Sequence, residues 1–180
     1  MTTRATYQPG PADLARVEKD GDNWTLVMVR PLPHAPEQVW HALTDPAQLR
    51  AWAPFDADGN LGTTGATVQL TIVGTPAPMV AATTIARADA PHVLEYRWGD
   101  SNLRWELDDV NGGTRLTLRQ NVDRRFIAMG AAGWQICFDV LDHALAGTPL
   151  GRIVGMETMQ FDGWQRLHAA YDQQFGVSQA

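Results

Sequence analysis

Lysine is nearly missing from this chain: Lys19 is the only one, and arginine supplies every other base. With 14 basic residues against 20 acidic ones, the formal net charge is −6. No basic stripe is available to neutralise phosphates, so neither nucleic acid nor an anionic membrane surface is an expected partner. Cysteine is as scarce. Cys137 stands alone among 180 residues and cannot form an internal disulfide, which points to a reducing compartment. No apolar run approaches the ~18 residues of a membrane span. The opening Met1-Thr2-Thr3-Arg4-Ala5 does not lead into a signal-peptide core. The expectation is a cytoplasmic protein with no membrane insertion.

Motifs that carry chemistry are also lacking. Gly147 to Gly155 (GTPLGRIVG) has no Lys-Ser/Thr ending and is not a P-loop. Asp139 and His143 stand four apart on a helical stretch, but no third ligand is spaced to join them and they read as a solvent-facing pair. His34 and His41 have no partner in sequence and read as surface residues. Ser101 and Ser178 lie in no nucleophile-elbow motif. Cys137 falls on an apolar stripe, where a cysteine acts as a small hydrophobe. Asp108-Asp109 reads as a turn cap. The sequence therefore names no catalytic residue, no metal site and no cofactor.

What is present is an ordinary globular composition, 44% hydrophobic and 19% charged, of a length that suits one domain. Residues 1–20, with Pro9-Gly10-Pro11, read as a loosely ordered arm, residues 21–147 as the domain, and residues 148–180 as an extension with a further helix packed on it. Trp24 to Arg30 reads as a strand buried on much of both faces. Pro36 sits at the first turn of a short helix carrying Val39, Trp40 and Leu43, and Asp45-Pro46 starts a second. Asp56 to Ala66 is a glycine-rich loop, read as a mobile gate.

Five strand-like runs follow: Thr67 to Val73, Met79 to Ala88, Val93 to Trp98, Leu103 to Asp108 and Thr114 to Asn121. Their short spacings favour antiparallel hairpins. Leu94, Tyr96 and Trp98 alternate with Glu95 and Arg97; Leu103, Trp105 and Leu107 alternate with Arg104 and Glu106. One face is apolar and aromatic, the other a solvated charge ladder. Four-residue loops would set Glu106 opposite Arg115. The cover for the apolar face is Gly133 to Ala146, whose stripe holds Trp134, Cys137, Phe138, Leu141, Ala144 and Leu145. At 1.5 Å per residue it is about 21 Å long. A further helix spans roughly 157–175. On Met79 to Ala88 the small residues Val80, Ala82, Thr84 and Ala86 are assigned to the inward face, opposite large aromatics, and could leave room for a ligand.

This order of elements resembles the helix-grip fold. Pro36, Val39-Trp40, Ala42-Leu43-Thr44-Asp45-Pro46 and Trp52 look like the opening motif of one of its branches. Leu94 to Gly99 with Leu103 to Leu107 look like that branch's central hairpin. Gly113 to Leu118 and Gly133-Trp134 complete the pattern. The chain thus resembles the family of homologues of the activator of heat-shock-protein-90 ATPase, in the START-like or SRPBCC superfamily. Many relatives carry histidine where this chain has Gln120 and Gln135. The resemblance implies an α+β fold: a curved antiparallel sheet of six to seven strands around a long C-terminal helix, with two short helices after the first strand. It also implies a cavity between sheet and helix for a small hydrophobic or aromatic molecule. Trp98, Trp105, Trp134, Phe138 and Leu141 would supply its walls, with Tyr96 and Thr84 as polar contacts. Expected partners are that molecule and a second copy of the chain as a homodimer. An aromatase- or cyclase-like enzyme and a chaperone-interaction module are the alternatives.

Overall fold

In the computed structural model, which describes residues 1–177, the fold opens on a strand that was not expected. Ala15–Asp20 (β1) pairs antiparallel with Asn23–Leu32 (β2), and Gly21 at φ +58° makes the tight turn between them. The supposed loose arm is therefore held. Tyr7, only 4% exposed, donates its hydroxyl to Asp139 Oδ2 at 2.6 Å.

The remaining strands are Phe55–Ala57 (β3), Thr67–Ile72 (β4), Met79–Thr84 (β5), Arg87–Asp89 (β6), Val93–Trp98 (β7), Ser101–Val110 (β8) and Gly113–Asn121 (β9). Six form one antiparallel sheet in the order β1-β2-β9-β8-β7-β6, and β3-β4-β5 form a second. The expected single strand from Met79 to Ala88 breaks at Ile85 and Ala86, between β5 and β6. Thr83 Oγ1 accepts the Arg97 N–H at 3.2 Å and links the two sheets.

Hairpin register departs from the expected pairing. Asn111 and Gly112, both at positive φ, make a two-residue turn of the type that matches strand twist. That sets Asp108 opposite Arg115 and Glu106 opposite Thr117. The charge ladder survives with new partners: Arg104 bonds both Glu95 and Glu106.

The helices are Pro36–Thr44 (α1), Pro46–Leu49 (α2), Ile127–Leu145 (α3), Met156–Met159 (α4) and Asp162–Phe175 (α5). Asp45 caps α2 by accepting the Gln48 N–H at 3.0 Å. The long helix starts at Ile127 rather than Gly133, after a single 3₁₀ turn at Arg124–Phe126. Its 19 residues span about 28 Å. No helix of the described residues is long and apolar enough to cross a membrane.

α3 is buried nearly all round, including Gln135 and Asp139. The sheet covers one side; α5 and the N-terminal segment cover the other. Gln135 ties these together: Tyr171 of α5 donates to its Oε1, and its Nε2 donates to the Pro11 carbonyl at 2.9 Å. Asp139, expected to face solvent, accepts from Tyr7 and from Arg30 Nη1, the latter at 2.6 Å. His34, read as a surface residue, has a side chain only 12% exposed and lies 3.1 Å from Asp142.

The glycine-rich loop is not built as a gate. Leu61 is fully buried, and its N–H donates to the Thr44 carbonyl at 3.0 Å. Gln69 N–H reaches Asp58 Oδ1 at 2.7 Å, and Ala88 N–H reaches Thr64 Oγ1 at 2.8 Å. One apolar anchor and several bonds to three neighbouring elements hold it down.

Candidate ligand-binding cleft

Alternation on β7 and β8 turns Tyr96, Trp98 and Trp105 toward α3, where Trp134 and Phe138 meet them one turn apart. Ring centroids lie 5.7 Å apart for Trp98 and Trp134, 5.5 Å for Trp105 and Trp134, and 6.1 Å for Trp105 and Phe138. Trp105 donates its indole N–H to Tyr96 Oη at 3.2 Å. The space expected to hold a ligand between these rings is taken up by the rings themselves, packed as interiors are. Leu141 is fully buried in the same core. Thr84 is not part of it. The face carrying Val80, Ala82, Thr84 and Ala86 is turned outward, with Val80 62% exposed, while Thr83 and Ile85 point inward. The bulky Ile85 decides the face, and a one-residue offset inverts every side chain along a strand.

The open volume lies at the edge of the cluster. A cleft of about 400 Å³ is bounded by Trp98 and Trp134 on one side and by the C-terminal extension on the other. The first half of α3 forms its floor, with Met129, Gly130, Gly133 and Cys137. Ile153, Met156, Thr158, Met159 and Trp164 come from the extension, none of them singled out from sequence as site residues. Phe126, Met156 and Met159, each about half exposed, stand around the cleft as adaptable side chains. No lining residue carries a charge.

Two glycines bring the extension into place. Gly155, at φ +65° and ψ −140°, passes directly against the backbone of Gly74, and Met156 N–H donates to the Gly74 carbonyl at 3.0 Å. A Cβ on Gly74 would stand 2.8 Å from the Val154 carbonyl oxygen, and one on Gly155 would overlap the Gly74 backbone. Only glycine fits on either side of this approach.

Polar groups in the cleft are few. Trp134 Nε1 donates to Gln120 Oε1 at 2.8 Å, so Gln120 has its amide N–H groups left to offer. Among the described residues, Trp98 Nε1 and Thr158 Oγ1 are buried with no hydrogen-bond partner. Burial pushes the Cys137 thiol up to about 12, which keeps it protonated and unreactive at neutral pH.

The same burial raises the hydroxyls of Tyr96 and Tyr7 above their usual range, and that of Tyr171 to about 12. Acids whose folded values are raised stabilise the fold fully below their unfolded values, 9.0 for the thiol and 10.0 for tyrosine. That contribution is lost as pH climbs toward 12. The thermal midpoint should therefore hold up to about pH 9 and fall steeply by about pH 11. A midpoint unchanged at pH 11 would contradict the burial of these groups.

Comparison with known proteins agrees with the architecture. The sequence profile described as "Activator of Hsp90 ATPase homolog 1-like protein" matches residues 33–146. Among solved structures, the conserved protein of unknown function EF2215 from Enterococcus faecalis superposes with a TM-score of 0.66 at 14% identity, covering 92% of each chain. CalU16 from Micromonospora echinospora gives 0.62 at 17% identity, covering 91% of this chain and 93% of its own. Protein MLL2253 from Mesorhizobium loti gives 0.58 at 24% identity, with 70% and 99% covered. No curated protein matches the sequence. At these identities the likeness shows the fold, and the profile match, which spans more than half of the chain, settles the kinship: this protein belongs to the Activator of Hsp90 ATPase homolog 1-like family, on a helix-grip fold.

Proposed function

We propose that the protein binds a small hydrophobic or aromatic molecule in the cleft between α3, Trp98 and the C-terminal extension. The observation that carries this reading is a concave volume of about 400 Å³ walled by tryptophan, methionine and isoleucine, with no charged residue in its lining. Volumes of this size and apolar character suit small ligands. An aromatase- or cyclase-like activity finds less support. The lining has no carboxylate and no imidazole, and its one thiol stays protonated.

Gly133 offers a clean test. It lines the cleft on α3, and a Cβ built there meets nothing within 4 Å. Gly133→Leu should thus fill the cleft without distorting the helix, and removing a helical glycine adds up to ~1 kcal/mol of stability. The uncharged fluorophore N-phenyl-1-naphthylamine should bind the wild-type protein with one-to-one saturation and lose that binding in the leucine variant. Equal binding by a folded Gly133→Leu protein would rule out the cleft as the site.

A further inference from the structure

Two residues of this cleft carry polar atoms in a condition that folded proteins rarely tolerate. Trp98 Nε1 and Thr158 Oγ1 are buried and have no hydrogen-bond partner among the described residues. Leaving such a group buried and unpaired is costly, and each one in a native structure calls for an explanation, a bound species among them. These two belong to different elements, β7 and α4, and both residues line the cleft. Gln120, also in the lining, has its carbonyl oxygen engaged by Trp134 and only N–H groups to spare.

The inventory is lopsided. An indole N–H only donates, the free side of the Gln120 amide only donates, and a threonine hydroxyl does either. A ligand that met these groups with a donor of its own would leave Trp98 unpaired. An anion would enter a lining without a single counter-charge, at a desolvation cost that such walls cannot offset. We propose that the ligand is an uncharged apolar molecule carrying a carbonyl-type hydrogen-bond acceptor, taken by the indole N–H of Trp98 and the hydroxyl of Thr158. This rests on the cleft being the binding site and adds the chemical class that it selects. Both atoms are buried, so binding involves a side-chain adjustment, which flexible Met156 and Met159 at the same cleft can accommodate. Thr158 lies outside residues 33–146, the stretch matched by the family profile, so this half of the preference belongs to the extension.

A matched pair of probes isolates the carbonyl: 1-tetralone and tetralin share one bicyclic skeleton and differ in the C=O group. On hydrophobicity alone, tetralin would bind tighter. The expected result is that the wild-type protein prefers 1-tetralone by ~3- to 10-fold, the range of one net hydrogen bond. In Trp98→Phe and in the isosteric Thr158→Val, the tetralone-to-tetralin ratio should fall toward one. Nitrogen-15 spectra give a second, direct readout, because the indole proton resonance of Trp98, assigned by its loss in Trp98→Phe, should move downfield with 1-tetralone and not with tetralin. Tetralin binding as tightly as 1-tetralone, with that resonance unmoved by either, overturns the acceptor preference and leaves the apolar cleft standing. Failure of both probes to bind overturns the cleft reading itself, and this inference with it.

Discussion

Replacing Trp105 by alanine should lower the stability of the fold by about 3–5 kcal/mol, the range for deleting a large aromatic side chain from a core. Trp105 is fully buried at the point where strand, helix and the opening motif meet. Its ring makes edge contacts with Trp52 at 6.0 Å and Trp134 at 5.5 Å, and a tilted one with Phe138 at 6.1 Å. Its N–H holds Tyr96 Oη, so truncation adds an unpaired buried hydroxyl to the cavity it leaves. Domains of this kind are stable by about 5–15 kcal/mol in total, and the loss would be plain in urea unfolding. A Trp105→Phe variant, which keeps a ring but not the N–H, should lose less than half as much. A loss below about 1 kcal/mol for the alanine variant would show that the cluster is not the keystone of this core.

The second large effect is expected at Asp139. Its carboxylate takes the Tyr7 hydroxyl at 2.6 Å and the Arg30 guanidinium at 2.6 Å, with side-chain exposures of only 12% for Asp139 and 20% for Arg30. Asp139→Ala would strand a nearly buried cation and a buried hydroxyl together. Fully buried pairs broken in this way cost about 3–5 kcal/mol. Partial exposure, and the second contact of Arg30 with Asp142 at 3.4 Å, reduce that to about 2–3 kcal/mol. The N-terminal segment should come loose first, so limited proteolysis should cut near residues 4–12 much faster in the variant. Asp139→Asn, which keeps one oxygen to accept from a single donor and sets an NH2 group against the other, should fall between the two. An alanine variant as stable and as protease-resistant as wild type would mean that Tyr7 and Arg30 do not fasten the segment.

A good part of this architecture was legible in the residues. The P-x-x-V-W run beginning at Pro36 and the alternation of Leu94, Tyr96 and Trp98 against Glu95 and Arg97 are local signals. Each is written within a few residues and each appears where its pattern predicts. The aromatic cluster was legible too, because alternation on two paired strands and a helical stripe leave few ways to arrange the same side chains. β1 escaped notice because an edge strand buries little: of Ala15–Asp20 only Ala15 is buried, and a run of charges hides the period.

By itself, then, the sequence determined the order of the central strands and helices, the apolar face of the main sheet and the helix that covers it, since all three depend on periodicities of two and 3.6 residues. Only the tertiary structure decided which side of β5 faces inward, that Asp139 is buried, and that the open volume lies beside the aromatic rings rather than among them. Those outcomes depend on contacts between residues far apart in the chain. Tyr7 meets Asp139 across 132 positions, and Gly74 admits Gly155 at a backbone approach that no other residue permits. A cleft is what remains after such contacts are made. Its walls carry no periodicity of their own, so the extension that closes it could be seen as a helix in sequence but not as one wall of a cleft.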